Sequence, residues 1–264
     1  MKNYSVLILL IFVLIGCDES ENPKNWQLVW EDNFDGLNGT SPDPLKWTYD
    51  IGTGINGWGN QQLEYNTDRP ENVSHDGEGN LVITAIEARF ESSDYSSARI
   101  TTRGLFEVMH GRIEARIKLP WGQGIWPALW LLGSNIEEIG WPQCGEIDIM
   151  EYRGQNPSTI LGSVHGPGYS AGNSVSDEFS LFNDRFDTDF HVFAIEWDEN
   201  EIKYFVDGQN YFTVTPEDVM GEWVFDNNFN IILNLAVGGT FVGPTNEKTV
   251  FPQMLYVDYI KVYK

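Results

Sequence analysis

Three carboxylates in the run GEIDIMEY (145–152) have the clearest chemical content in the chain: Glu146, Asp148 and Glu151. Two carboxyl groups on one face of a strand are the minimum apparatus for glycoside hydrolysis. One is ionised to attack the anomeric carbon, the other is protonated to donate to the leaving oxygen, and about 5–5.5 Å separates them when configuration is retained. Close like charges also push one pKa upward, which keeps the acid protonated near neutral pH. Spacing alone leaves two other readings open, a solvated strand face and oxygen ligands for a hard cation such as calcium.

These residues need a strand to hold them, and the run reads as one. Glu146 and Asp148 are two apart and share a face, while Ile147 and Ile149 take the other and can enter a core. Strict alternation would then turn Glu151 inward, where an unpaired carboxylate is expensive. One extra residue taken up as a β-bulge near Ile149 or Met150 returns Glu151 to the face of the other two, so a bulge is predicted there.

The same period-2 pattern recurs along the chain. In RIEARIKL (112–119) the apolar residues alternate strictly with charged ones, and β-branched or aromatic runs at 81–88, 98–102, 126–132, 147–152, 160–165, 192–197, 202–206, 230–236 and 255–263 read as further strands. Turn-forming clusters separate them, such as DGEGN (76–80) and DG (207–208). No window sustains a helical repeat; the best helix candidate is short, 216–220, with Thr215 as cap and Pro216 in the first turn. With 26 Gly and 12 Pro spread through the chain and no internal repeat, the pattern predicts one all-β domain, a sandwich or jelly roll, over 26–264.

Composition narrows the partners. The chain has 264 residues and a formal net charge of -23, which disfavours nucleic acid and sulfated or carboxylated polymers and favours a neutral ligand. Ten Trp supply flat apolar faces with a polar edge. At the amino terminus an apolar run, 6–15, would reach only about 15 Å as a helix, half of a ~30 Å hydrocarbon core, so it reads as a signal-peptide segment rather than a span. LIGC resembles the lipobox of bacterial lipoproteins. It implies cleavage after residue 16, a lipid-modified Cys17, a linker over 18–25 and membrane attachment through the lipid alone, at the outer membrane or cell surface; an ordinary secretory signal with an incidental Cys is the alternative. Lipidation would leave Cys144 without an intrachain partner, and it reads as a small buried residue rather than a nucleophile.

Beyond the acidic run, the chain resembles the laminarinase-like branch of glycoside hydrolase family 16. The likeness spans about 26–264 and rests on GWGNQQLEY (57–65), SARITTRG (97–104), HGRIEARIKLPWGQGIWPALWLLG (110–133), GEIDIMEYRG (145–154), SVHGPGYS (163–170), FAIEWDENEIKYFVDG (193–208), NLAVGG (234–239) and MLYVDYIKVY (254–263), in that order. The resemblance implies a β-jelly roll of two antiparallel sheets with a concave substrate cleft. It also implies retaining endo-hydrolysis of β-1,3-glucan such as laminarin, with mixed β-1,3/1,4-glucan as a further substrate. Carried over by position, Glu146 is the nucleophile, Glu151 the acid/base and Asp148 their assisting carboxylate. Asn60, Arg99, Trp126, Trp130 and His165 match sugar-binding positions, with Trp58 and Trp121 as weaker candidates on bordering loops. Phe241 stands where many members have Trp.

The resemblance implies no cofactor for catalysis and a monomer. It also implies a structural calcium away from the cleft, at Glu31, Gly79 and Asp258. Hydrolysis of another neutral polymer, lichenan or agarose, is the alternative within the family, and a non-catalytic glucan-binding protein is the alternative outside it; such proteins are expected to lack one or both carboxylates.

Overall fold

The structure, a computed structural model, describes residues 25–264. The expected signal segment, Cys17 and most of the 18–25 stretch lie outside the described residues. Two β-sheets pack face to face. One runs Val175–Ser180, Thr159–His165, Glu146–Tyr152, Ile125–Gly133, Phe229–Val237, Arg99–Thr101 and Thr48–Tyr49 in spatial order. The other runs Gln209–Val214, Ile202–Val206, His191–Trp197, Gly111–Lys118, Gln253–Tyr263, Leu81–Phe90, Ser93–Ser97 and Glu64–Asn66, with two short strands paired off this path. All pairs are antiparallel except the last, where Glu64–Asn66 lies parallel to Ser93–Ser97.

The residue patterns account for the layers. Gly111–Lys118 alternates cleanly, with Ile113, Ala115 and Ile117 buried against the facing sheet and Arg112, Glu114, Arg116 and Lys118 turned outward. Phe229–Val237 is buried at all nine positions, because its second face also lies under cover, in the cleft. On that strand Phe229, Ile231, Leu233 and Leu235 join the main core, while Asn230, Ile232, Asn234 and Ala236 occupy the other side. Ile125–Gly133 divides likewise: Ile125, Leu129 and Leu131 enter the core, and Trp126 and Trp130 belong to the opposite face.

Residues 216–220 form no helix. Pro216, Glu217 and Asp218 make a turn in which Thr215 N and Oγ1 both donate to the Asp218 carboxylate at 2.8 Å. The side chain that satisfies the free donors therefore comes from within the turn, and five residues are too few to nucleate a helix without packing. The short helical turns form instead at Gly57–Gln61, Ile136–Ile139 and Ala171–Asn173.

Candidate active site

The bulge forms where alternation requires it. Glu146 pairs with Leu132 and Asp148 with Trp130, but Met150 pairs with Leu129 and Glu151 with Ala128, so the register slips by one between Asp148 and Met150. The same slip appears against Thr159–His165. Ile147, Ile149, Met150 and Tyr152 all enter the core, which leaves Glu146, Asp148 and Glu151 in one row on the cleft face. Two adjacent apolar side chains pointing inward provide the energetic reason for the bulge.

Each carboxylate has its own environment. Glu146 Oε2 accepts the Trp141 indole N–H at 3.0 Å, and its Oε1 lies 3.7 Å from His165 Nε2. Asp148 is the most enclosed; its Oδ2 accepts Ser163 Oγ at 2.6 Å and lies 3.0 Å from His165 Nε2. Glu151 Oε1 accepts the Trp126 indole N–H at 3.1 Å. Burial, then the charge of Asp148, pushes Glu146 up to about 7 and Glu151 up to about 8. Beyond these shared influences, Glu146 has the Trp141 donor and the Arg99 charge, both favouring its ionised form, whereas Glu151 has the Trp126 donor and the charge of Glu146 added to that of Asp148. The Glu146 side chain keeps 19% exposure, an opening through which it can reach a substrate.

His165 stands in this network. Burial would lower its pKa, but the hydrogen bond and charge of Asp148, with Glu146 and Glu151 behind it, raise it to about 9. Against that, Ala171 N–H donates to His165 Nδ1 at 3.1 Å, which requires an unprotonated nitrogen there. The hydrogen bond decides the matter, because a protonated ring would set two N–H groups against each other; His165 is neutral with its proton on Nε2. Glu146, Asp148 and His165 offer ligand atoms within 4.8 Å of one another. With Nε2 protonated, however, the imidazole has no lone pair to give, and the group does not fit a metal as arranged.

The other sequence-predicted residues separate into two sets. Arg99 and Trp130 meet: the Arg99 guanidinium lies 4.8 Å from the Trp130 ring and 4.6 Å from that of Trp58, while its Nε donates to Asp50 at 2.9 Å. Trp130 also donates through Nε1 to Asn234 at 2.8 Å, so the two indoles pack on Arg99 rather than standing free. Trp126 is nearly covered, at 6% exposure, and acts as the donor to Glu151 instead of an open sugar platform. Asn60 is exposed on the turn Gly57–Gln61 and receives Thr240 N on its carbonyl at 2.8 Å. Trp121 stands elsewhere, beside Gln253 and Arg185.

Glu31, Gly79 and Asp258 lie on or beside strands of the other sheet. Two of the three meet the protein's own cations: Lys46 Nζ donates to Glu31 O at 2.8 Å, and Arg116 pairs with the Asp258 carboxylate. A divalent ion bound through the Asp258 carboxylate would compete with the Arg116 guanidinium for it. Cys144 is buried, and burial pushes its thiol up to about 11, which keeps it unreactive.

Sequence reasoning missed Trp141, Ser163, Asp50 and Asn234. Ser163 and Asn234 could have been found by extending strand alternation from His165 and from the 230–236 run. Trp141 and Asp50 lie in segments with no periodic signal.

The fold and this row of carboxylates agree with what the chain is related to. Residues 59–260 match the model of glycosyl hydrolases family 16. The chain belongs to that family. A β-glucanase from Rhodothermus marinus is 42% identical over 272 aligned residues, covering 97% of this chain and 93% of the relative. Among solved structures, the laminarinase catalytic domain from Thermotoga maritima superposes with a TM-score of 0.86 at 50% identity, covering 90% of this chain and 98% of that one. The endo-β-1,3-glucanase from Pyrococcus furiosus superposes at 0.85 and 46% identity, covering 90% and 94%. As a family 16 member the protein is a glycoside hydrolase with a jelly-roll fold, and family 16 hydrolysis needs no cofactor.

Proposed function

We propose that the protein is an endo-acting hydrolase of neutral β-1,3-glucan, working with retention of configuration and accepting mixed β-1,3/1,4-glucan as a poorer substrate. The observation that carries this reading is the bulge that puts Glu146, Asp148 and Glu151 in one row with unlike partners. The similarity to laminarinases over nearly the whole described chain supports the substrate class.

In the first step Glu146 attacks the anomeric carbon. The bond to the leaving oxygen breaks, and that oxygen takes the proton of Glu151. The Trp141 N–H and the Arg99 charge favour ionised Glu146 for the attack, and burial, with the negative charge of Asp148 held by Ser163 and His165, keeps Glu151 protonated. In the second step the now ionised Glu151 removes a proton from water, the water oxygen bonds to the anomeric carbon, and Glu146 is released.

Glu146→Gln is expected to lower kcat on laminarin by about 10³ or more with an unchanged melting temperature, since the amide keeps the shape and cannot attack. Release of new reducing ends from laminarin, lichenan, agarose and carrageenan checks activity and linkage together. Full activity in Glu146→Gln, or binding of laminarin by the unaltered protein without cleavage, would overturn the reading. Anchoring through Cys17 belongs to the same proposal, supported by LIGC ahead of an acidic, linker-like stretch. In cells, Cys17→Ser should move the protein from the membrane to the soluble fraction and abolish fatty-acid labelling, and unchanged fractionation would remove the anchor.

A further inference from the structure

Trp126 holds Glu151 by one hydrogen bond, and such bonds weaken steeply once the donor tilts. What fixes the indole therefore matters to the acid. Its ring packs on Phe241, with centroids 5.0 Å apart and planes at 41°. Phe241 in turn carries the Arg153 guanidinium, whose central carbon lies 3.9 Å from the ring centroid, well within the range of a cation–π contact. Arg153 is tethered on its other side to Glu178 at 3.2 Å. The contacts close a circuit, since Arg153 follows Glu151 by two residues in the same segment.

The loop that carries Phe241 is itself fixed. Gln123 and Gln155 both donate through Nε2 to Val242 O, at 2.7 and 2.9 Å, and Thr240 N donates to Asn60 O at 2.8 Å. These bonds anchor the backbone on both sides of Phe241, so its ring is presented to Trp126 from a fixed loop. We infer that Phe241 and Arg153 are positioning residues for the acid/base step: with Trp126 they form a packed arm that holds the indole N–H on the Glu151 carboxyl. This rests on the assignment of Glu151 as acid/base made above.

The experiment must separate positioning from sugar contact, and the leaving group does so. Aryl β-laminaribiosides place no sugar beyond the scissile bond. A dinitrophenolate leaves without protonation, whereas an unactivated phenol needs the acid. For Phe241→Ala, kcat/KM on the phenyl glycoside should fall about tenfold and on the dinitrophenyl glycoside less than about twofold, with Phe241→Trp restoring both. Arg153→Met, at a partly exposed site where folding is not at risk, should show the same bias at about threefold. In ¹⁵N-labelled protein the Trp126 indole N–H resonance should move in Phe241→Ala.

Equal effects on the two glycosides, or an unmoved indole resonance with only the KM for laminarin raised, would make Phe241 a sugar platform and overturn the inference. Glu151→Gln is the reference. If it shows no leaving-group bias, the assignment of Glu151 fails. If it shows the bias and the arm variants do not, the arm alone fails.

Discussion

At Glu151 burial and two acidic neighbours outweigh the Trp126 donor, and the balance sets the working pH. Glu146 must be ionised and Glu151 protonated, so activity should rise as pH passes about 7 and fall as it passes about 8, giving a narrow bell in kcat/KM whose limbs belong to the interacting carboxylates together. Trp126→Phe removes the N–H that favours ionised Glu151 while keeping an aromatic ring against Phe241. Ionisation then becomes harder, and the basic limb should move to higher pH with the acidic limb unchanged. The pH profile on a small aryl glycoside checks this; an unmoved basic limb would mean that Glu151 does not set it. Glu146, Asp148 and Glu151 were legible in the sequence because residue type and period-2 spacing carry their chemistry. The role of Trp126 was not, since alternation names the face of a ring and says nothing of what will cover it.

Between elements, Glu64 does something the alternation could not indicate. It is 1% exposed at the edge of one sheet, and its Oε2 accepts the N–H of Val237 at the end of the cleft strand, tying the two layers together. Burial is the largest influence on it and pushes its pKa up to about 7. A carboxyl raised in the folded state binds its proton more tightly there than in the unfolded chain, so stability is lost as pH rises from the unfolded value through about 7. Glu64→Gln keeps an oxygen for Val237, and because Asn66 Nδ2 now donates to Glu64 Oε1 at 3.4 Å, a turn of the Asn66 amide would let the new amide donate to Asn66 Oδ1 instead. The substitution should stabilise by on the order of 3 kcal/mol at pH 8 and by almost nothing at pH 4. Denaturant unfolding at both pH values tests this; equal gains would mean that charge is not the cause. The bulge at Ile149 and Met150, in contrast, followed from the sequence, because two inward apolar residues and an outward carboxylate admit one geometric solution.

Across the whole molecule the charge of -23 is spread over a surface whose catalytic face meets a neutral polymer. Hydrolysis of laminarin should therefore be nearly independent of ionic strength between about 0.02 and 0.3 M, while any residual action on a sulfated polymer should rise with salt as repulsion is screened. Initial rates across a salt series decide it. A steep salt dependence on laminarin would show that charge takes part in binding the neutral chain.

Sequence by itself determined the class of fold, the position of the bulge and the three carboxylates, because these depend on local period and on the cost of burying charge. It also placed Trp126 and Trp130 on one face. Only the tertiary structure decided what those faces meet: Phe241 from residues 238–243 over Trp126, Arg99 between Trp58 and Trp130, and Trp141 and His165 on Glu146. Those contacts join residues far apart in the chain, and their partners follow from how loops pack over the sheet rather than from any period along it. The same holds for the turn at 216–218, where a local capping signal was real but the side chain that used it, Asp218, came from inside the turn.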